Sequence, residues 1–254
     1  MPQQFIRMIH RSISIAALSL VLAPSPALAT QNDFNQCREI FAENTPPIIQ
    51  NEGELKTRAL CFSGFAVLHS GRSHTPVFSA ERLNRSILKD AKHKKRTNKF
   101  FADARLPHAE RAELDDYKHS SFDKGHMAPA ADMATAASMA QCFSLANMIP
   151  QAPINNRKAW AGIEKATRKY IMRAKGDVFV ITGPVFDNTP QTIGFNQVWV
   201  PHYIYKLVYD PSAHKAWAHW IENSDTARPS KPISYEELVK RTGINFLPNF
   251  KMKD

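Results

Sequence analysis

Strand-like and helix-like segments follow one another in this chain without a regular rhythm. Apolar, β-branched segments typical of strands occur at residues 59–70, 76–83, 177–186, 198–210 and 214–222. Helical patterns occur at residues 130–142, 154–174 and 234–243. In the last of these, Ser234 and Glu237 are predicted to form a capping box, and Gly243 to end the helix. Because no strand–helix–strand alternation is present, the order predicts an α+β fold with a central, mostly antiparallel sheet flanked by helices.

The N-terminus has the pattern of an export signal. Arg7 and Arg11 precede ten apolar residues, 13–22, and a small-residue cleavage pattern ends at Ala29. Ten residues are too few to span a bilayer of about 30 Å as a helix. We therefore predict a cleaved signal peptide at residues 1–29, a single domain at 30–254, and a periplasmic or extracellular location. No membrane partner is expected after cleavage.

Three cysteines remain after the predicted cleavage site. In an oxidising compartment a disulfide persists, and Cys37 and Cys61 both lie near the mature N-terminus. Pairing them would fix an otherwise loose arm, although spacing does not prove the connectivity. Cys142 lies among apolar neighbours and is predicted to be a buried thiol.

The charge of the chain favours an anionic partner. The formal net charge is +10, and the predicted signal peptide carries only two of these positive charges. Residues 89–99 contain six cations and one acid. Such a run can neutralise phosphates of a nucleic acid, although it is also typical of a solvated face. The lysines expected to contact nucleic acid are Lys92, Lys94, Lys95 and Lys99.

Four adjacent residues carry the first chemical motif. Asp123, Lys124, Gly125 and His126 place an acid, a cation, a glycine and an imidazole together. Glycine permits close backbone approach and unusual torsion angles, and the lysine can hold an anionic phosphate. An imidazole with its ordinary, near-neutral pKa can take a proton from water. The motif therefore predicts a general base beside a phosphate site.

A second motif lies on the best predicted helix. Asn156 and Glu164 are eight residues apart, which on an α-helix is about 80° beyond two full turns. They would lie on broadly one side of the helix. An amide oxygen and a carboxylate suit a hard, oxygen-ligated cation such as Mg²⁺, with water filling the remaining positions.

The segments "DKGHMAPAADM", "NMIPQ" and "NNRKAWAGIE" together resemble the DNA/RNA non-specific endonucleases, which are ββα-metal nucleases with an Asp-Arg-Gly-His signature. The resemblance extends from about residue 60 to 248. It implies the ββα-metal nuclease fold and hydrolysis of phosphodiester bonds in DNA and RNA with little sequence preference. It leaves a homodimer and a dedicated inhibitor protein open.

The resemblance also implies residue roles. His126 would be the general base, Asn156 the direct ligand of one Mg²⁺ (or Mn²⁺) ion, and Glu164 the holder of metal-bound water. Supporting roles are expected for Arg96 (phosphate contact), Trp160 (packing), Asn147 (the loop beside the histidine), Asp123 and Gly125.

One residue departs from the signature. Lys124 stands where the family has arginine, which keeps the charge and loses the bidentate fork. Two alternatives follow: an exported nucleic-acid-binding protein with impaired catalysis, and a phosphodiesterase acting on small nucleotides. The long basic run argues against the second alternative, because a small substrate offers few phosphates.

Overall fold

The computed structural model describes residues 1, 33–50 and 52–250. A seven-stranded sheet with the order β1-β2-β3-β6-β9-β10-β11 forms its centre, and every neighbouring pair is antiparallel. The sheet strands are β1 (Thr57–Cys61), β2 (Ala66–Ser70), β3 (Thr75–Leu83), β6 (Val178–Val185), β9 (Tyr203–Asp210), β10 (Lys215–Glu222) and β11 (Ile233–Ser234). Two two-stranded antiparallel sheets lie outside it: β4 (Asp123–His126) with β5 (Met148–Gln151), and the hairpin of β7 (Thr192–Ile193) with β8 (Val198–Trp199). The predicted α+β class is confirmed.

Helices flank this sheet. They are α1 (Glu52–Leu55), α2 (Arg85–Ala91), α3 (Ala136–Gln141), α4 (Ala161–Ile171) and α5 (Tyr235–Thr242). A π-helical segment, Asn155–Trp160, leads directly into α4. Within the described residues, no helix combines the length and apolar character needed to cross a bilayer. The predicted signal peptide lies outside the described residues, apart from Met1.

Both faces of the sheet are covered, because strand residues alternate between two cores. On β9, Tyr205 and Leu207 pack with the N-terminal arm (residues 33–50) and α5, whereas Ile204 and Val208 face the opposite side. A disulfide between Cys37 and Cys61 ties the arm to β1, as predicted. Cys142 is a buried free thiol, also as predicted.

Two predicted strands are each divided in the structure. Residues 59–70 form β1 and β2, because a turn interrupts the segment and Phe62 N–H donates to the carbonyl of Phe65 at 2.9 Å. Ser63 and Gly64 provide this turn inside an otherwise apolar sequence. Residues 198–210 form β8 and β9, which are separated by Pro201.

Three helix predictions need correction. The segment 130–142 is α-helical only in α3, which begins after Thr135 because the Thr135 hydroxyl accepts from Ser138 N–H. The segment 154–174 is helical, but its first turns are π-helical. At α5, Ser234 is the N-cap and Gly243 ends the helix at φ +69°, yet the Glu237 carboxylate pairs with Arg241 rather than completing a capping box.

Candidate active site

The two-stranded β4–β5 sheet holds His126 at the end of β4, opposite Met148. Gly125 is required here by packing, because a Cβ atom on it would lie 2.1 Å from the Gln151 Oε1 atom. Its backbone does not adopt the left-handed conformation, so the expected benefit is close approach and not an unusual torsion angle. The glycine therefore lets β5 press directly against the strand that presents the histidine.

The His126 ring lies in an aromatic enclosure and is 7% exposed. The ring centroids of Phe143 and Phe100 lie 5.0 and 5.8 Å from it. Nε2 is enclosed with no hydrogen-bond partner among the described residues. This leaves Nδ1 as the ring nitrogen with access to the cleft.

Burial, and then the charge of Arg96, lower the pKa of His126 to about 3. The expectation of an ordinary imidazole pKa is therefore wrong for the free protein. Both causes disfavour the imidazolium, since an aromatic enclosure desolvates it and a neighbouring cation repels it. The ring is consequently neutral over the physiological pH range, and in the free protein it would hold an added proton only weakly. A phosphate anion in the cleft would raise this pKa by opposite charge.

Asn147 holds the segment that follows His126. Its Oδ1 accepts from Ala128 N–H at 2.9 Å and from the Ser79 hydroxyl at 2.8 Å. Its Nδ2 donates to the carbonyls of Ala128 and Cys142 at 2.9 and 3.0 Å. All four hydrogen-bonding positions of this buried amide are used, so the side chain locks the loop beside the histidine to β3.

Asp123 joins the histidine strand to the π-helical segment. Its Oδ2 accepts from Asn156 Nδ2 at 2.9 Å, and Arg157 donates to both carboxylate oxygens at 2.8 and 2.6 Å. The amide nitrogen of Asn156 is thereby turned towards Asp123. Its oxygen, Oδ1, is the atom left free to bind a cation.

Glu164 lies on α4 within a cluster of buried charges. Arg168 Nη1 lies 3.1 Å from Asp132 and 4.0 Å from Glu164. Burial raises the pKa of Glu164 to about 7, although Lys206 acts in the opposite direction. The carboxyl group therefore titrates near neutral pH, where a nearby cation would favour its ionised form.

Two further cations border the cleft. The Arg96 guanidinium lies 5.0 Å from the Phe143 ring centroid, and its charge lowers the pKa of both His126 and Glu164. Lys124 Nζ lies 5.1 Å from the centroid of the Phe100 ring and 5.4 Å from that of Tyr117. Arg96 thus faces both the histidine and the glutamate, while Lys124 rests on aromatic faces.

The basic run continues from the C-terminal end of α2 as an extended, exposed segment. The four lysines expected to contact nucleic acid, Lys92, Lys94, Lys95 and Lys99, are all exposed. Arg96 lies within the run and belongs to the cleft. The run is therefore a solvated surface contiguous with the site, as a phosphate-binding surface would be.

Three buried charged side chains near Glu164, and the partly buried Arg168 beside them, were not predicted: Glu81, Asp132 and Lys206. Trp160 is buried as expected, but Lys206 Nζ lies 5.4 Å from its ring centroid and donates to the Thr182 hydroxyl at 2.7 Å. Glu81 is buried, with both carboxylate oxygens unpartnered within the described residues. Burial first, and then Asp132, raise its pKa. Two sequence signals could have identified them. Glu81 and Lys206 are charged residues inside strand-like segments, and Arg168 lies four residues after Glu164 on the same helix.

The donor set fits a weakly held, hydrated cation. Among the described residues, no group of three or more His, Cys, Asp or Glu side chains is placed to enclose a metal. Asn156 Oδ1 is the amide oxygen not directed at Asp123, and Glu164 is an ionisable carboxyl group eight residues further along the same helical unit. Mg²⁺ retains several waters and uses few protein ligands, so this arrangement suits it.

Comparison with known proteins gives consistent results. A family profile described as DNA/RNA non-specific endonuclease matches residues 44–252. Nuclease C1 of Cunninghamella echinulata var. echinulata is 35% identical over 201 residues, which are 72% of this chain and 79% of that protein. The mitochondrial nuclease EXOG of Homo sapiens is 32% identical over 219 residues, 76% of this chain. The chain spans 58% of the length of EXOG.

A solved structure of an EndoG/EndoGI complex has the same fold. Its TM-score is 0.69 at 23% sequence identity, and the match covers 89% of this chain and 94% of that chain. The predicted ββα-metal nuclease fold is thereby confirmed.

Proposed function

Since the chain belongs to the DNA/RNA non-specific endonuclease family, we propose that it is a metal-dependent endonuclease that hydrolyses DNA and RNA phosphodiester bonds at the His126 cleft. One observation carries this proposal. The Asp123–Asn156 hydrogen bond at 2.9 Å joins the histidine strand to the helical unit that bears the expected metal ligand. This hydrogen bond supports a single site, because it holds together two motifs that lie thirty residues apart in the chain.

His126 acts as the general base. For Nδ1 to accept a proton from water, the neutral ring must carry its own hydrogen on Nε2, the enclosed nitrogen. The aromatic enclosure fixes the ring plane, and the Asn147 hydrogen bonds fix the backbone behind it. Water activated in this way attacks phosphorus, and the proton remains on the imidazole until it exchanges with solvent.

The cations and Asp123 position the substrate. Arg96 and Lys124 bring positive charge to the two phenylalanine rings that enclose the histidine and hold phosphate oxygens. Asp123 orients the Asn156 amide so that Oδ1 would hold Mg²⁺ or Mn²⁺, with Glu164 accepting hydrogen bonds from water around the ion. When bound, such an ion stabilises negative charge developing on the phosphate and the leaving oxygen.

Substrate binding depends mainly on the phosphate backbone. The exposed lysines of residues 92–99 extend the positive surface beyond the cleft, and backbone contacts carry no sequence information. Binding should therefore be strongly salt-dependent and sequence preference slight. A homodimer and an inhibitor protein stay predictions from the family resemblance.

Export to the periplasm or the extracellular space is part of the proposal. It is supported by the charged and apolar pattern before residue 30, and it is compatible with a disulfide between Cys37 and Cys61. N-terminal sequencing of the mature protein recovered from the exported fraction should begin near Thr30. An intact leader in a cell-retained protein would refute this point.

A plasmid-nicking assay tests the activity. We expect purified protein to convert supercoiled plasmid to open-circular and linear forms in Mg²⁺, to stop in EDTA, and to resume when Mg²⁺ is restored. A dinucleotide in excess should compete poorly, because it cannot occupy the basic run. A gel shift without nicking would indicate a binding protein, whereas cleavage of the dinucleotide in preference to plasmid would indicate a small-nucleotide phosphodiesterase.

A further inference from the structure

The β7–β8 hairpin exposes an aromatic side chain at its tip. Phe195 lies in the loop between Ile193 and Val198 and is 97% exposed. No other large apolar side chain in residues 33–50 and 52–250 is exposed to this extent. A phenyl ring that is almost fully in water buries little of its apolar surface within the chain, so that surface is available to a ligand.

Specific contacts hold the tip in place. Gly194 has a φ of +68° and packs so tightly on Asp116 that a Cβ atom would lie 2.3 Å from the Asp116 Cα atom. The residue after Phe195 is also fixed. Asn196 donates through its backbone N–H and its Nδ2 to the two carboxylate oxygens of Asp116, at 3.0 and 2.9 Å. Both neighbours of Phe195 are thus fixed to one residue, and the ring projects between them.

The same hairpin is packed into the wall of the cleft. Ile193 and Val198 share an apolar cluster with Tyr117, which follows Asp116 directly, and Phe100 packs against that cluster. The rings of Phe100 and Tyr117 are those on which Lys124 rests, and Phe100 lies 5.8 Å from His126. The exposed tip is therefore connected to the site by a continuous, rigid set of contacts.

The chemistry of the tip suits a nucleobase. Residues 188–200 contain no charged side chain, so the hairpin neither repels phosphates nor competes for them. Aromatic side chains stack on any base, because every base has a π-face, and such stacking is tolerant of sequence. A paired base has both faces covered within the duplex, whereas an unpaired base offers one.

We infer that Phe195 is a stacking platform for an unpaired base of the substrate, so that the protein favours single-stranded or distorted nucleic acid over regular duplex. The inference rests on the proposed nuclease function and specifies its substrate. The lysine run would hold the backbone on one side of the cleft, and the ring would hold a base at the hairpin.

Binding without cleavage provides the first test. Fluorescence anisotropy in EDTA would compare wild type, Phe195→Ala and Phe195→Trp on a labelled single-stranded oligonucleotide and on its duplex. We expect Phe195→Ala to weaken single-strand binding about fivefold or more and duplex binding less than about twofold. Phe195→Trp should restore binding, and its added fluorescence should be quenched by the single strand. The matched control is Ile48→Ala, at an apolar residue 56% exposed on the opposite face of the sheet.

Turnover in Mg²⁺ provides the second test. Phe195→Ala should raise KM for single-stranded substrate by the same factor and leave kcat unchanged, since the ring does not touch the reacting atoms. Equal single-strand binding by wild type and Phe195→Ala would overturn the inference. The inference would also be overturned if Phe195→Ala differed from wild type in molar mass by light scattering but not in oligonucleotide binding. That result would assign the ring to self-association.

The two proposals fail separately. Wild type that binds oligonucleotides but never cleaves them would refute the nuclease proposal, while the anisotropy comparison would still decide the role of Phe195. Wild type that cleaves, together with a Phe195→Ala variant of identical KM, would refute only the stacking platform. Wild type that binds no nucleic acid would refute both.

Discussion

Two buried histidines on different parts of the molecule show what separates a structural residue from a functional one. His69, on β2, is completely buried, and its Nε2 donates to the carbonyl of Glu110 at 2.7 Å. Burial lowers the pKa of His69 to about 4 and that of His126 to about 3. Burial and pKa therefore do not distinguish them. The difference is that His126 keeps one ring nitrogen open to a cleft bordered by cations, whereas His69 has no such opening.

The same distinction occurs in two adjacent asparagines. Asn155 is buried, accepts from Gln151 Nε2 at 2.8 Å and donates to the Glu222 carbonyl at 2.8 Å. Asn156 donates through its nitrogen to Asp123, and its oxygen has no hydrogen-bond partner within residues 33–50 and 52–250. Asn155 uses its oxygen and its nitrogen on the fold, and His69 uses Nε2 on the fold and encloses Nδ1. His126 and Asn156 each retain one polar atom that a ligand could use. In each pair, mutating the two residues one at a time distinguishes the structural residue from the functional one.

The largest effect is expected at the histidines. His126→Ala should lower kcat for plasmid nicking about 10²- to 10⁴-fold, the usual contribution of a general base. His69→Ala should instead lower the free energy of unfolding by about 2–4 kcal/mol, because it leaves a cavity and an unpaired carbonyl. Turnover per folded His69→Ala molecule should stay near wild type. Denaturant unfolding and plasmid nicking would be measured on the same preparations. A loss of turnover in His69→Ala together with a loss of stability alone in His126→Ala would contradict the assignment.

The asparagine pair should give the next largest effect. Asn156→Ala should raise the Mg²⁺ concentration for half-maximal activity at least about tenfold and weaken Mn²⁺ binding in an electron paramagnetic resonance titration. Asn155→Ala should leave metal affinity unchanged and cost about 2–4 kcal/mol of stability. Unaltered Mn²⁺ affinity in Asn156→Ala would remove the amide from the metal site.

The pH dependence of stability isolates His69. Its folded pKa, about 4, lies below the ordinary value, so the unfolded chain binds more protons between pH 6.5 and 4. Its contribution is present above pH 6.5 and is lost as pH falls, by up to about 3 kcal/mol. Glu164 acts with the opposite sign, because its raised pKa gives stability that is lost as pH rises towards 7. Subtracting the free energy of unfolding of His69→Gln from that of wild type at each pH removes the contribution of Glu164. A difference that does not change with pH would contradict the account.

The smallest effect is expected at Lys124. Lys124→Arg should raise kcat/KM for DNA by about two- to tenfold, because a guanidinium makes two charge-assisted hydrogen bonds to a phosphate. Lys99→Arg, in the exposed run, serves as the matched control and should change little. A loss of activity in Lys124→Arg would mean that the space over Phe100 and Tyr117 admits only the narrower ammonium group.

Sequence reasoning reached the fold class, the disulfide and the central helix because each has a local signal. The turn at Ser63 and Gly64 was missed because the flanking phenylalanines keep the segment apolar, and the π-helical start at Asn155 has no composition of its own. Hydrogen-bond partners that are distant in the sequence could not be predicted either. The pairing of Asp123 with Asn156 and Arg157 joins residues 33 and 34 positions apart and depends on how β4 packs against the helix.

The sequence predicted which residue types form the site, but it did not predict their pKa values. The motif identified His126 as a base, yet its lowered pKa results from rings at positions 100 and 143 and from Arg96, which only the fold assembles. Likewise, Glu81 and Lys206 resemble ordinary polar residues of half-buried strands. Only the alternation of β3 and β9 places both on the α4 side of the sheet, beneath Glu164.

Chemical rescue of His126→Ala is the most direct measurement of the central claim, that a neutral imidazole in this cleft removes a proton from water. Imidazole added to His126→Ala in Mg²⁺ should restore nicking in proportion to its unprotonated fraction, while His69→Ala should show no response. Nicking by His126→Ala at the wild-type rate without imidazole would contradict the claim.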